Sequence, residues 1–92
     1  MNREDTLKEA LTIVTKDRQN AYGTPEDNFS CIAGLWSAFL STAITPQQVA
    51  IMMILLKIAR TKASPSYCDN YVDIAGYAAC ASEIATKGCA NA

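Results

Sequence analysis

The sequence predicts an all-α fold of four helices in one domain, arranged as a bundle that assembles with further copies of itself. Apolar residues recur at helical spacing in four segments, and turn and capping residues separate these segments. No useful stretch shows the alternation of a strand. A chain of 92 residues suits one domain, residues 1–92. Because 50% of the residues are hydrophobic and only 18% are charged, apolar surface in excess of the core favours a homo-oligomer.

The first helix is predicted from Arg3 to about Gln19. Asn2 is a suitable N-cap, with Asp5 in the first turn. Tyr22 and Gly23 end this segment. Its apolar residues at helical spacing are Leu7, Ala10, Leu11 and Val14.

The second and third helices begin with the same device, "TPED" in one case and "TPQQ" in the other. Thr24 and Thr45 are the expected N-caps, and the proline that follows each suits the first helical turn. Asp27 and Gln48 stand at the capping-box position. The second helix is predicted to place Trp36 in the core or at an interface. Its apolar positions are Phe29, Ile32, Ala33, Trp36, Phe39 and Leu40.

The third helix, predicted to about Lys62, is apolar on nearly all sides through "VAIMMILL". Such a helix is expected at the centre of a fold or of an oligomer. "ASPS" breaks it. The fourth helix is predicted from about Tyr67 to Lys87, with Gly88 as its end. Small residues in "DIAGYAACA" allow another helix to approach it closely.

Composition excludes several classes of protein. The net charge is −1 without a long basic run, so no duplex nucleic acid is expected as a partner. The apolar run Val49 to Leu56 is too short to span a membrane, and the charged start "MNREDTLKEA" lacks the apolar segment of a secretion signal. Four cysteines without CxxC spacing, in a chain without histidine, indicate reduced and mostly buried thiols in a cytoplasmic protein.

Charged residues gather where the third and fourth helices form a hairpin. Counting outward from the proline turn sets Arg60 opposite Asp69 and Lys57 near Asp73, and Tyr77 continues the acidic face. One interpretation is a salt-bridge network that fixes the register of the hairpin. The other is a polar ligand site, in which Asp69 and Asp73 hold a metal ion or the two cations hold phosphate.

The stretch "RQNAYGTPEDNF" is a second candidate site. Tyr22 is placed to stack on a base, Arg18 to approach phosphate, and the helix start after Thr24 to offer backbone N–H donors to an anion. Gly23 is expected to adopt a positive φ and to let the backbone come close to a ligand. The alternative is a loop and a helix cap, with Tyr22 covering the core.

Three blocks, "YGTPEDNF", "MMILLKIAR" and "DNYVDIAGYAAC", together resemble a family of small uncharacterised proteins found mostly in phages and prophages. The resemblance covers about Arg18 to Cys80. The pattern is also distantly similar to MazG-type all-α nucleotide pyrophosphohydrolases and phage nucleotide-modification relatives. That similarity implies a helical oligomer in which helix-borne carboxylates hold Mg²⁺ on a nucleoside triphosphate.

The carboxylates depart from the pyrophosphohydrolase pattern, which pairs ExxE with E/DxxD. No acid stands three residues after Glu26 or Asp27, and Asp69 and Asp73 are four residues apart. The first hypothesis is therefore a phage protein that binds a nucleotide without catalysis and sequesters a nucleotide or cyclic-nucleotide signal of host defence, with no cofactor. The alternatives are a Mg²⁺-dependent nucleotide pyrophosphohydrolase and a phage adaptor protein with no small ligand.

Overall fold

The computed structural model describes residues 1–17 and 23–86. Within these ranges the protein is all-α, with no strand, and its four α-helices pack in a bundle-like arrangement, as predicted. The elements in chain order are α1 (Arg3–Thr12), a π-helix (Ile13–Asp17), α2 (Pro25–Leu40), α3 (Pro46–Ala63) and α4 (Cys68–Thr86). The hairpin of α3 and α4 forms the centre, with α2 packed mainly on α3 and α1 on α4.

The predicted N-caps of α1 and α2 are confirmed. The Asn2 side chain accepts a hydrogen bond from the backbone N–H of Asp5 at 2.8 Å, and the Thr24 hydroxyl accepts one from Asp27 at 3.2 Å. Each bond satisfies a backbone donor that has no partner inside the helix. Glu4 and Asp5 add negative charge to the first turn of α1, where the helix dipole favours it.

The connection between α2 and α3 is held by side chains. The Ser37 hydroxyl accepts a bond from the Ile44 N–H at 2.9 Å and donates to the Ile44 carbonyl at 3.3 Å. The capping box is complete, because Thr45 accepts from the Gln48 N–H and the Gln48 side chain accepts from the Thr45 N–H. Ser41 ends α2 in the left-handed region, at φ 54°. These contacts fix the direction in which α3 leaves α2.

Two helix boundaries differ from the prediction. The first segment is not one regular helix, because Ile13–Asp17 is a π-helix, whose bonds join residues five apart. The remainder of the predicted helix, to Gln19, lies outside the described residues, as do Lys87 and Gly88 at the predicted end of α4. The fourth helix starts at Cys68, one residue later than predicted, because Ser64 and Tyr67 close a turn through a backbone hydrogen bond of 3.2 Å.

The core lies between α2, α3 and α4. The rings of Phe29 and Tyr77 meet at its centre, with 6.1 Å between their centroids. Trp36 packs against this core, as predicted. Phe39 and Leu40, the last two apolar positions of α2, are exposed. The buried residues of the core cluster are Phe29, Ala33, Val49, Ala50, Tyr77, Cys80 and Ala81.

The three described cysteines are free thiols in different surroundings. Cys80 is buried in the core, Cys68 is half-buried and Cys31 is exposed on α2. The prediction of mostly buried thiols is therefore wrong for Cys31, and Cys89 lies outside the described residues. Across residues 1–17 and 23–86, no helix combines the length and apolar character needed to cross a membrane.

Candidate functional site

A narrow cleft separates the π-helix from α4. Its walls are apolar except at Asp73, which lies at one side, and its volume of about 10 Å³ is the space of about one water molecule. Two residues predicted as ligand contacts, Asp73 and Tyr77, therefore line the same cavity. The full lining is Ile13, Val14, Val72, Asp73, Gly76, Tyr77 and Cys80.

The cleft is narrow because Gly76 lets the π-helix approach α4 closely. A Cβ placed on Gly76 would lie 3.1 Å from Cγ1 of Val14, which is tighter than ordinary van der Waals contact. Val14 is branched at Cβ and has few rotamers with which to move away. The small residues predicted to allow close helix approach therefore do so at this contact.

The polar side of the cleft continues into an ion pair between α3 and α4. Nζ of Lys57 lies 2.8 Å from Oδ2 of Asp73, and the two side chains are only 15% and 24% exposed. This confirms the predicted proximity of the two residues across the hairpin. A half-buried pair has lost much of its hydration, so each charge depends on the other for compensation.

Tyr67 adds a hydroxyl to the same group of charges. The Asp69 carboxylate accepts a hydrogen bond from Tyr67 and repels its ionised form, which raises the pKa of Tyr67 above 10.0, and Asp73 adds to this effect while Lys57 opposes it. Lys57, Asp69 and Asp73 therefore all lie within electrostatic range of Tyr67. We call these four residues the hairpin cluster.

Replacing Asp69 with asparagine should lower the pKa of Tyr67 toward 10.0, because the main acceptor charge is removed. The raised pKa favours protonated Tyr67 in the folded state, so its contribution to stability is full below pH 10.0 and is lost as the pH rises through the raised value. Ultraviolet titration of tyrosinate measures this, with Tyr67→Phe to identify the transition and Asp5→Asn as a remote control. An unchanged titration in Asp69→Asn would contradict the assigned contact.

No ion pair joins Arg60 to Asp69, which the sequence places opposite each other. Arg60 is exposed and forms no ion pair with any residue in the part of the chain described. Arg60 stands three residues after Lys57, so at 3.6 residues per turn the two side chains point about 60° apart around the α3 axis. Lys57 faces α4 as a result, whereas Arg60 points past it toward solvent.

The carboxylates of the hairpin cluster form a small donor set for a metal ion. Asp73 is already paired with Lys57, and no group of three or more acidic or cysteine side chains within the described residues is arranged to hold a metal. A magnesium site usually draws on carboxylates together with substrate phosphates. Asp69 and Asp73 would therefore need ligands from elsewhere to hold Mg²⁺.

The second candidate site is described only in part. Arg18 and Tyr22 lie outside the described residues. Gly23 has φ +81°, as predicted, and among described atoms a Cβ there would meet nothing within 4 Å, so the need for glycine is conformational. Thr24 is engaged in the cap of α2. Neither Gly23 nor Thr24 is among the described residues that line the cleft.

Four residues at or beside the site were missed in the sequence. Tyr67 stands two positions before Asp69 at the start of α4, and this spacing could have indicated that the two side chains lie close together. Val14 and Gly76 are far apart in sequence, and their contact depends on how α1 packs on α4. Asn70 is the buried polar residue of α4, 3% exposed, beside the hairpin cluster in sequence. Its burial could be foreseen only from the packing of the hairpin.

Two phage proteins are similar to this chain over most of its length. One is the "Gene 55 protein" of Mycobacterium phage D29, 42% identical over 81 residues, or 88% of this chain and 54% of the relative. The other is the "Gene 55 protein" of Mycobacterium phage L5, 45% identical over 73 residues, or 78% of this chain and 47% of the relative. The chain thus spans about half the length of these relatives. No solved structure matches it.

The resemblance to small phage proteins is confirmed by these relatives, whereas the resemblance to MazG-type enzymes stays a prediction. A family match covers residues 5–85, which include all of the hairpin cluster and the cleft. The chain therefore belongs to the family described as "Domain of unknown function (DUF6378)".

Proposed function

We propose that this chain binds a nucleotide-type small molecule without hydrolysing it, and that its role is to sequester a nucleotide or cyclic-nucleotide signal of host defence. The observation that carries the proposal is the half-buried pair of Lys57 and Asp73 at the polar side of the cleft. Charged side chains that are half-buried need interaction partners in place of water, and a polar ligand can supply further partners. Relatives in two mycobacteriophages support a phage setting for this role.

The hairpin cluster has the chemistry that a nucleotide requires. Lys57 of the cluster and Arg60, which lies one turn further along α3 outside the cluster, offer two positive charges to phosphate oxygens. Asp69 and Asp73 are acceptors for the N–H groups of a base or the hydroxyl groups of a ribose. Since the cleft holds about one water molecule, the ligand is placed across its mouth, over the hairpin cluster.

The donor set favours binding over hydrolysis. Phosphoryl or pyrophosphoryl transfer by Mg²⁺ enzymes relies on several carboxylates that hold the metal and orient the attacking water. Here Asp73 is neutralised by Lys57, and Asp69 accepts from Tyr67. Both carboxylates are thus already engaged and are poorly placed to act as a general base toward an attacking water molecule. We therefore keep the MazG-like hydrolase as the alternative, which the experiment below distinguishes from binding alone.

Mass spectrometry of the molecules that the purified protein releases on denaturation tests the proposal. Protein from cells with an active nucleotide-signalling defence should release a nucleotide that is intact after incubation with Mg²⁺. Release of pyrophosphate from nucleoside triphosphates would instead identify an enzyme. Absence of any nucleotide, together with no heat of binding for a panel of linear and cyclic nucleotides, would contradict the proposal and favour an adaptor protein.

Tyr22→Ala should weaken binding of the retained nucleotide by about one to two decades, because stacking of a base on an aromatic ring contributes roughly 1–3 kcal/mol. Tyr22→Phe keeps the stacking face and should bind nearly as well as the wild type. Calorimetric titration measures both variants. Normal binding by Tyr22→Ala with a melting temperature several degrees lower would assign Tyr22 to the core instead.

A further inference from the structure

The side of α3 that points away from the core carries an apolar stripe. Ile51, Leu55 and Ile58 follow one another at spacings of four and three residues, and Gln48 and Lys62 extend the same pattern at the two ends. Alternating spacings of three and four mark the contact seam of paired helices. Val49 and Ala50 are buried on the opposite side of α3, so the stripe is a second apolar face of one helix. We call this set of residues the α3 seam: Gln48, Ile51, Leu55, Ile58 and Lys62.

The exposed apolar area on this helix matches what a homodimer needs. Four large residues on or beside the stripe are each 38–58% exposed, which at roughly 180 Å² per fully exposed residue amounts to roughly 340 Å² per copy. Two copies would bury roughly 680 Å² of apolar surface, and at ~65% apolar content this corresponds to an interface of roughly 1,050 Å², just above the roughly 1,000 Å² that a specific interface should reach. These residues are Ile51, Met52, Leu55 and Ile58.

We propose that the α3 seam pairs with the α3 seam of a second copy in an antiparallel arrangement, with Leu55 at the two-fold axis. The three charged residues of α3 are all cationic and all lie in its C-terminal half: Lys57, Arg60 and Lys62. Parallel pairing would set the two Lys62 side chains against each other. Antiparallel pairing sets Lys62 beside Gln48 of the second copy and Ile51 beside Ile58, and it also opposes the two helix dipoles.

The seam and the hairpin cluster lie on different sides of α3. Leu55 and Lys57 are two residues apart, which places their side chains about 200° from each other around the helix axis. Lys57 is directed toward Asp73 on α4, whereas Leu55 is 58% exposed. Dimerisation through the seam therefore leaves the cleft open, and the proposal is independent of the proposed nucleotide.

The variant Leu55→Glu tests the seam, with Leu7→Glu as its matched control. Leu7 lies on α1 and is 63% exposed, so both changes place a carboxylate at an exposed leucine. Light scattering and sedimentation should show a dimer for the wild type at micromolar concentration and for Leu7→Glu. The dissociation constant of Leu55→Glu should rise at least about a hundredfold, since a leucine is lost and a charge is added in both copies.

Disulfide crosslinking tests the orientation even if Leu55→Glu folds poorly. Leu55→Cys should crosslink to itself, Ile51→Cys alone should not, and a mixture of Ile51→Cys with Ile58→Cys should give the mixed dimer. Self-crosslinking of Ile51→Cys would show parallel pairing and overturn the proposal. A monomeric wild type would also overturn it. The same holds if the monomer instead binds phosphatidylcholine–phosphatidylglycerol vesicles through the seam, because the stripe would then be a lipid-binding surface. The background for these variants is Cys31→Ser, Cys68→Ser and Cys89→Ser.

Discussion

Phe29→Ala should lower the free energy of unfolding by about 3–5 kcal/mol, the usual cost of removing a fully buried phenylalanine. Phe29 is 1% exposed and its ring lies 6.1 Å from the ring of Tyr77. The variant loses both the burial of the side chain and the aromatic contact, and it leaves a cavity between α2 and α4. Urea denaturation followed by circular dichroism measures the change at constant protein concentration.

Phe39→Ala is the control for this result, because it removes the same side chain from the same helix. Phe39 is 87% exposed, so its replacement should change the free energy of unfolding by less than about 0.5 kcal/mol. A similar loss in both variants would mean that the core is not where the structure places it. A loss confined to Phe29→Ala would confirm the packing of α2 on the central hairpin.

Lys57→Met and Asp73→Asn should each lower the free energy of unfolding by about 1–3 kcal/mol, less than a fully buried pair because both side chains keep some contact with water. The reason is that one charge is left without its partner in a half-buried position. The double variant Lys57→Met with Asp73→Leu should recover most of this loss. Lys8→Met breaks a pair with Glu4 that is about 70% exposed and should have almost no effect.

The same variants separate a structural role from a ligand-binding role. If the hairpin cluster binds a nucleotide, the double variant should regain stability but should not regain binding, because an apolar pair offers no contact to phosphate or base. Calorimetry on a nucleotide identified by mass spectrometry measures the second quantity. If nucleotide binding falls and recovers together with stability in all three variants, the pair of Lys57 and Asp73 serves only to fix the register of the hairpin.

Local features were predictable from the sequence. The caps at Asn2, Thr24 and Thr45 depend on residues within one turn of the helix start, so the sequence contains all that determines them. The contact of Lys57 with Asp73 was predictable because a short turn fixes how far each residue lies from the hairpin root. Each of these follows from chain connectivity over a few residues.

The remaining features depend on how the helices rotate and pack. Arg60 was placed opposite Asp69 by counting alone, but the direction of its side chain depends on which face of α3 contacts α4. The cleft requires Val14 to meet Gly76 across some sixty residues of sequence, and the π-helix beside it has no local sequence signal that we identify. Tyr77 was assigned to the site by its helix face, and the structure adds that its ring belongs to the core beside Phe29.

The packing of α1 has a consequence for local stability. Of its described residues only Ala10 is buried, whereas Leu7 and Leu11 are exposed, and α1 rests mainly on α4. Detaching α1 and the π-helix would uncover the apolar wall of the cleft, including Val72, but would leave the contacts among the core residues of α2, α3 and α4 in place. We therefore expect this segment to open as a separate cooperative unit, at a free energy below that of global unfolding. One wall of the cleft would then belong to a unit that opens before the rest of the fold.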